Sequence, residues 1–178
     1  MSAAALTRPD ASEYAPYYGR YVSLVEDADV VSTLERQGRE LSALVRAIPE
    51  SRADFRYAEG KWSIRDLLGH VIDGERVFAF RALCFARGDA QPLPGFEQDD
   101  WAPVASAGLA SASIADLVEE FELLRRSNVR MLRRLTDADW TRTGIASGNP
   151  VSVRAIAFIM AGHVVHHTKV LRERYLAG

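Results

Sequence analysis

"DAQPLPGFEQDDWAPVASAGLAS", residues 89–111, separates two long runs of helical periodicity, and its reading decides how they are joined. Pro92, Pro94 and Pro103, with Gly95 and Gly108, break the pattern. Proline lacks the backbone donor that a helix interior needs, so the preceding helix must stop before this stretch. The stretch also carries Leu93, Phe96, Trp101 and Val104, which give it apolar surface to bury. It therefore reads as an ordered connection. A connection this long lets the next helix run parallel to the one before it.

Working outward, the flanking runs read as helices. Downstream, Ser113 with Asp116 three residues on forms a capping-box variant, aspartate standing where glutamate is usual. A stripe of Leu117, Phe121, Leu124, Val129, Leu132 and Leu135 follows, predicting a helix over 113–135. Upstream, Ser63 and Asp66 repeat the capping pair, and Gly88 is a natural stop, predicting a helix over 63–87. Val30, Leu34, Leu41, Leu44 and Ile48 share one helical face over 27–48, which Pro49 ends. The turn-rich "TDADWTRTGIASGNP", 136–150, leads to a last helix over 152–176. No convincing strand is expected. The reading is all-α: one domain over 1–178, a four-helix bundle with a long crossover between the second and third helices. Tyr14, Tyr17, Tyr18 and Tyr21 form a stripe in the lead-in segment that would pack on the bundle.

Composition narrows the function. The formal net charge is −2, so no broad positive field draws the chain to nucleic acid or to an anionic membrane. Only Lys61 and Lys169 are lysines. The basic end of the third helix, "RRSNVRMLRR", follows Glu119, Glu120 and Glu122, a polarity that the helix dipole favours without any nucleic acid. No apolar run is long enough to span a bilayer, and the N-terminus does not read as a secretion signal. A single cysteine, Cys84, permits no internal disulfide and fits a cytoplasmic protein; it reads as a core filler. The expected partner is a small molecule, and pairing of bundle faces into a homodimer is compatible with the fold. Trp62, Trp101 and Trp140 read as packing anchors, with Trp101 also placed to line a pocket mouth.

Histidine is scarce, and three of the four lie in "AGHVVHHTKVLRERY", 161–175. His163 and His167, at i and i+4, fall within about 40° of each other on the helix and share its inward seam with Val153, Ile156, Met160, Val170 and Leu171. His166 lies on a wetter flank with Lys169 and Glu173. Buried imidazoles need partners for both ring nitrogens. Those partners are either side chains and water or a metal ion. His70, near the start of the second helix, could complete a set of three in the bundle core. Three protein ligands leave a position open for water or substrate. Asp73, one turn beyond His70, is a candidate to orient a ligand ring or act as a base; a solvated helix carboxylate is the plainer role. Glu75 and Arg76 read as local surface ion pairs of little worth.

"KWSIRDLLGHVIDGERVFAFRALCFARGD", "LPGFEQDDWAPVASA" and "GHVVHHTKVLRERY" together resemble the DinB/YfiT-like superfamily of metalloenzymes, over nearly the whole chain. The resemblance implies a four-helix bundle with a crossover between the second and third helices. It implies metal ligands at His70, His163 and His167, holding a divalent ion such as nickel, zinc, iron or manganese. It implies a metal-dependent enzyme, first a low-molecular-weight-thiol S-transferase acting on a small electrophile with the thiol as cosubstrate. A metal-dependent hydrolase using the same site is the alternative, and a non-catalytic metal-binding helical module a third. Many relatives carry glycine-glutamine after the last histidine, where this chain has Thr168 and Lys169.

Overall fold

Ser63 and Ser113 start their helices as the sequence predicts. Each hydroxyl accepts from the backbone N–H three residues on, and Asp66 and Asp116 accept in return from the serine N–H. In the computed structural model, which describes residues 7–177, the elements in chain order are α1 Gly19–Val22, α2 Val30–Arg46, α3 Ile64–Ala86, α4 Gln98–Leu109, α5 Ile114–Leu132, α6 Asp137–Thr141, β1 Thr143–Ala146, β2 Asn149–Ser152 and α7 Val153–Val170. A π-helical turn, Leu171–Tyr175, continues α7. Residues 1–6, the start of the predicted lead-in, and residue 178 lie outside the described part. Among the described residues no single helix is long and apolar enough to cross a membrane.

The bundle is formed by α2, α3, α5 and α7. Its neighbours around the square are α2–α5, α5–α3, α3–α7 and α7–α2, so consecutive α2 and α3 sit on a diagonal. Helices α3 and α5 are parallel. Leu67 and Leu68 share one apolar cluster with Ile114 and Leu117, while Phe78 and Ala82 share the other with Val129 and Leu132. A 23-residue helix is about 34 Å long, and a parallel neighbour requires the chain to travel that distance back. Residues 87–113 make the return.

The crossover differs from expectation in detail. It contains α4, with Pro103 inside it, packed along α3. Trp101 and Val104 are exposed, so they do not anchor it. The anchor is Leu93, which exchanges backbone hydrogen bonds with Ile145 and Ser147 of the hairpin. Arg81 of α3, buried, donates to the Pro94 carbonyl and to Ser147 Oγ at 2.8 and 3.0 Å. The hairpin β1–β2 was not expected either. Its two-residue turn, Ser147–Gly148, has φ of 52° and 75°, the doubly left-handed turn whose twist matches paired strands.

The last helix is not a one-sided seam. From Ala155 to Val164 every residue is buried, because α1 covers the face that α2 and α3 leave open. Gly162 makes that possible. A Cβ there would lie 2.0 Å from the Tyr21 carbonyl oxygen. Backbone cannot rotate away, so Gly162→Ala should displace α1 and cost about 1–3 kcal/mol or more. A lowered melting temperature together with new proteolytic cleavage before residue 25 would show it. At Gly69 the added Cβ would meet only the tip of Leu109, a flexible side chain, and the same substitution should cost less.

Between the two apolar clusters lies a polar layer. Glu75, read from the sequence as a surface group, is buried. It accepts from Arg125 Nη2 at 2.7 Å and from Asn128 Nδ2 at 2.9 Å, and Arg125 Nη1 donates to the Leu34 carbonyl. This ion pair ties α2, α3 and α5 together. Arg76, by contrast, makes the exposed pairs expected of it, with Asp73 and Glu120.

Asp66 links the fold to pH. Burial raises its pKa, but hydrogen bonds from Ser106 and Ser63 and the nearby Arg56 outweigh burial and hold it below the usual 3.8. A carboxyl depressed in the folded state contributes stability above its unfolded pKa and loses it as pH falls through the folded value. Melting temperature should therefore fall as pH drops below 3.8, and Asp66→Asn, less stable at neutral pH, should fall less steeply there.

Candidate metal centre

His163 sits where α7 crosses α3 at Gly74. The α3 glycine makes room: a Cβ at Gly74 would lie 2.8 Å from His163 Cε1. His70, on α3 one turn before Gly74, brings its Nε2 to 2.9 Å from His163 Nε2. His167, one turn beyond His163, completes the group. Ring centroids are 4.9 Å apart for His70–His163, 4.8 Å for His70–His167 and 4.5 Å for His163–His167. Each ring offers a nitrogen, and the three nitrogens lie within 4.8 Å of one another. The structure thus brings together the three histidines that the sequence singles out.

The electrostatics keep His163 and His167 neutral. Burial pushes the pKa of His163 well below 6.5, reinforced by His167 and His70. His167 is likewise well below, through burial, then His70 and His166. A neutral imidazole has a lone pair to give a metal. Both ring nitrogens of His167 are buried, with no hydrogen-bond partner among the described residues. Leaving them so costs about 1–3 kcal/mol each. A borderline cation on one of them removes part of that cost. The donor set of three nitrogens suits zinc, nickel, copper or iron, so these residues fit a divalent ion.

Around the rings, Trp62 tilts against His70 at 4.8 Å, fixed by its carbonyl accepting from Tyr175. Tyr21 stands edge-on to His163 and His166 at 5.5 and 5.6 Å. His166, expected in water, is half-buried against Tyr21, and its pKa is lowered by burial, then by Arg20 and Lys169. Asp73 is not gathered into the group. It pairs with Arg76 at 3.5 Å on the side of α3 that faces α4. Burial, opposed by Arg76, raises its pKa. Cys84 is partly buried against the apolar cluster of Phe78 and Leu132, as a core filler would be.

A cleft of about 420 Å³ opens on His70 and His163. Its walls are Tyr17, Tyr18 and Tyr21 from the lead-in segment, with Phe78 of α3 and Phe96 of the crossover. Glu97, Gln98, Ser147 and Asn149 add polar groups. Sequence reasoning missed Glu97, Ser147 and Asn149 as site residues. The left-handed Ser147–Gly148 turn was the available signal, and it is visible only once the strands are known.

This geometry bears comparison with known proteins. The sequence profile of the DinB superfamily matches residues 33–171. The chain belongs to the DinB superfamily. In this DinB protein the match runs from α2 through the histidine cluster to the start of the π-helical turn. A relative in Oceanobacillus iheyensis, named a "putative metal-dependent hydrolase", is 24% identical over 148 residues, covering 82% of this chain and 83% of the relative. A Geobacillus kaustophilus protein of the same name is 25% identical over 133 residues, 72% of each. Among solved structures, YfiT from Bacillus subtilis, described as a "probable metal-dependent hydrolase with an unusual four-helix bundle topology", superposes with a TM-score of 0.69 at 17% identity, over 92% of this chain and 91% of that one. The mycothiol-dependent maleylpyruvate isomerase superposes with a TM-score of 0.66 at 11% identity, over 83% of this chain and 61% of the isomerase. At these identities the two structures establish the shared fold.

Proposed function

We propose that His70, His163 and His167 hold a divalent metal ion and that the chain is a metal-dependent enzyme transferring a small thiol to an electrophile bound in the cleft. The observation that carries this reading is the convergence of three imidazoles, two of them held neutral by burial, with His70 and His163 lining an open cleft. A closed structural site would have a fourth protein ligand; among the described residues three donors gather here, and two of them, His70 and His163, line the cleft. When bound, the ion supplies a Lewis acid that lowers the pKa of a coordinated thiol or water. The residues do the rest. Gly74 and Trp62 fix the rings of His163 and His70, and Tyr18, Phe78 and Phe96 wall off bulk water. In the transfer, the sulfur bonds to the electrophilic carbon, the leaving group departs with its bonding pair, and the thiol proton passes to solvent.

Thiol transfer is preferred to hydrolysis because a thiol, with a pKa near 8.5, needs little help to lose its proton, whereas water needs much more. Among the described residues the cleft offers one carboxylate, Glu97, which is exposed. Hydrolysis is the second reading, favoured by the names of the two sequence relatives. One assay separates them. Consumption of 1-chloro-2,4-dinitrobenzene that depends on an added low-molecular-weight thiol, and is lost with His167→Ala, supports transfer. Turnover of ester or amide panels without thiol supports hydrolysis.

A further inference from the structure

The stretch "RRSNVRMLRR", residues 125–134, takes no part in the histidine cleft. It lines a groove of about 550 Å³ between α2 and α5, the edge of the square opposite the α3–α7 edge that carries the histidines. Ion pairs cross the groove toward its two ends: Arg133 reaches Glu35 at 2.6 Å, and Arg46 reaches Glu122 at 3.1 Å. Between them along both helices stand Arg39 of α2 and Arg126 and Arg130 of α5, all exposed. None of these arginines has a hydrogen bond or an ion pair among the described residues.

The charge here is out of balance. Arg126 and Arg130 lie one turn apart on the same face, where like charges repel. The helix dipole favours them near the end of α5, but it does not account for Arg39 in the middle of α2. The other charges on the lining are matched: Arg133 by Glu35, Glu122 by Arg46, and Arg125 by the buried Glu75. Arg39, Arg126 and Arg130 are left over, in a chain whose formal net charge is −2.

Small and buried groups form the floor. Gly38 has no side chain, and a Cβ there would lie 3.0 Å from Arg125 Cγ. Arg125 and Val129 are buried beside it. Arg125 Nε is buried with no hydrogen-bond partner among the described residues, so the floor itself holds an unused donor.

We infer that this groove binds a diphosphate group, with Arg39, Arg126 and Arg130 around it. A guanidinium presents a planar fork of donors that matches phosphoryl oxygens two at a time. The unmatched charges exceed what one phosphoryl group, at about −2, neutralises. A volume of about 550 Å³ is that of a small-molecule site.

Calorimetric titration of the full-length protein at low ionic strength tests this, with pyrophosphate, adenosine diphosphate and sulfate as probes. Pyrophosphate should bind at least about tenfold more tightly than sulfate, and its affinity should fall as salt is added. Tighter binding of adenosine diphosphate than of pyrophosphate supports a nucleotide as the source of the group; the reverse order supports the free anion. Arg126→Gln combined with Arg130→Gln should cost about tenfold or more in pyrophosphate affinity, whereas Arg134→Gln, outside the groove lining, should cost under about twofold. Both variants should keep the wild-type melting temperature without ligand, because the exchanged side chains are exposed. Pyrophosphate should then raise it in the wild type and in Arg134→Gln, and not in the double variant. A diphosphate also ligates metal ions, so His163→Ala is titrated beside the wild type, and unchanged affinity there supports the groove. Loss of binding in His163→Ala, an affinity indifferent to the double substitution, sulfate binding as tightly as pyrophosphate, or no binding of either diphosphate would overturn the inference. So would a single-stranded oligonucleotide that binds more tightly than pyrophosphate through the same arginines, which would make the groove a nucleic-acid contact.

Discussion

His163→Ala is expected to weaken divalent metal binding by more than about a hundredfold, since loss of a group that merely orients a ligand already costs 10–100-fold. His163 packs against both other rings and also against Gly74. Elemental analysis of the purified wild type should give about one ion per chain, and of the variant almost none. The second readout is thermal. A ligand present a thousandfold above its dissociation constant stabilises a protein by about 4 kcal/mol. Added zinc or nickel should raise the melting temperature of the wild type and leave His163→Ala unmoved. Asp73→Asn should keep its metal, because Asp73 points to α4 and Arg76. Retention of a full equivalent of metal in His163→Ala would refute the three-histidine site.

Arg125→Ala should be the most destabilising single change outside the site, by about 3–5 kcal/mol, because it leaves the Glu75 carboxylate buried without a countercharge. A typical domain has about 5–15 kcal/mol of stability in all, so the variant will be near its limit. Removing both partners should be far milder. Glu75→Leu with Arg125→Met replaces a costly desolvated pair by apolar volume, and its denaturation midpoint in urea should return toward the wild type. Equal losses in the single and double variants would mean that the packing of Arg125 between Gly38 and Phe121, not its charge, carries the effect. The exposed Arg76–Glu120 pair serves as a control and should be worth under about 1 kcal/mol.

What the sequence disclosed and what it hid follow from the range of the interactions. The starts of α3 and α5 were legible because a serine and an aspartate three residues apart satisfy each other within one turn. The histidine set was legible because i and i+4 fixes two rings on one helix and the bundle supplies the third. The crossover was legible as a length, but its helix was not. Pro103 argues against a helix, and Trp101 and Val104 face outward, so no stripe marks α4. The hairpin was hidden by Pro150, which reads as a strand breaker although β2 is short and lies at the edge of its two-stranded sheet. Glu75 was misplaced because its neighbour in sequence is Arg76, while its partner lies fifty residues on, on a parallel helix that only the crossover brings alongside.

The three clustered histidines stand on the helices of the bundle, whereas most of the cleft wall belongs to three excursions from it: the lead-in tyrosines, the crossover and the hairpin turn. The crossover and the hairpin are stitched together at Leu93 and Arg81, and the lead-in is tied to the end of β2, where Glu13 accepts from Ser152. Insertions or exchanges in the crossover or the hairpin would reshape the cleft while sparing the histidine cluster. A bundle of this connectivity is thus suited to diversify its chemistry by swapping borders around an unchanging hub.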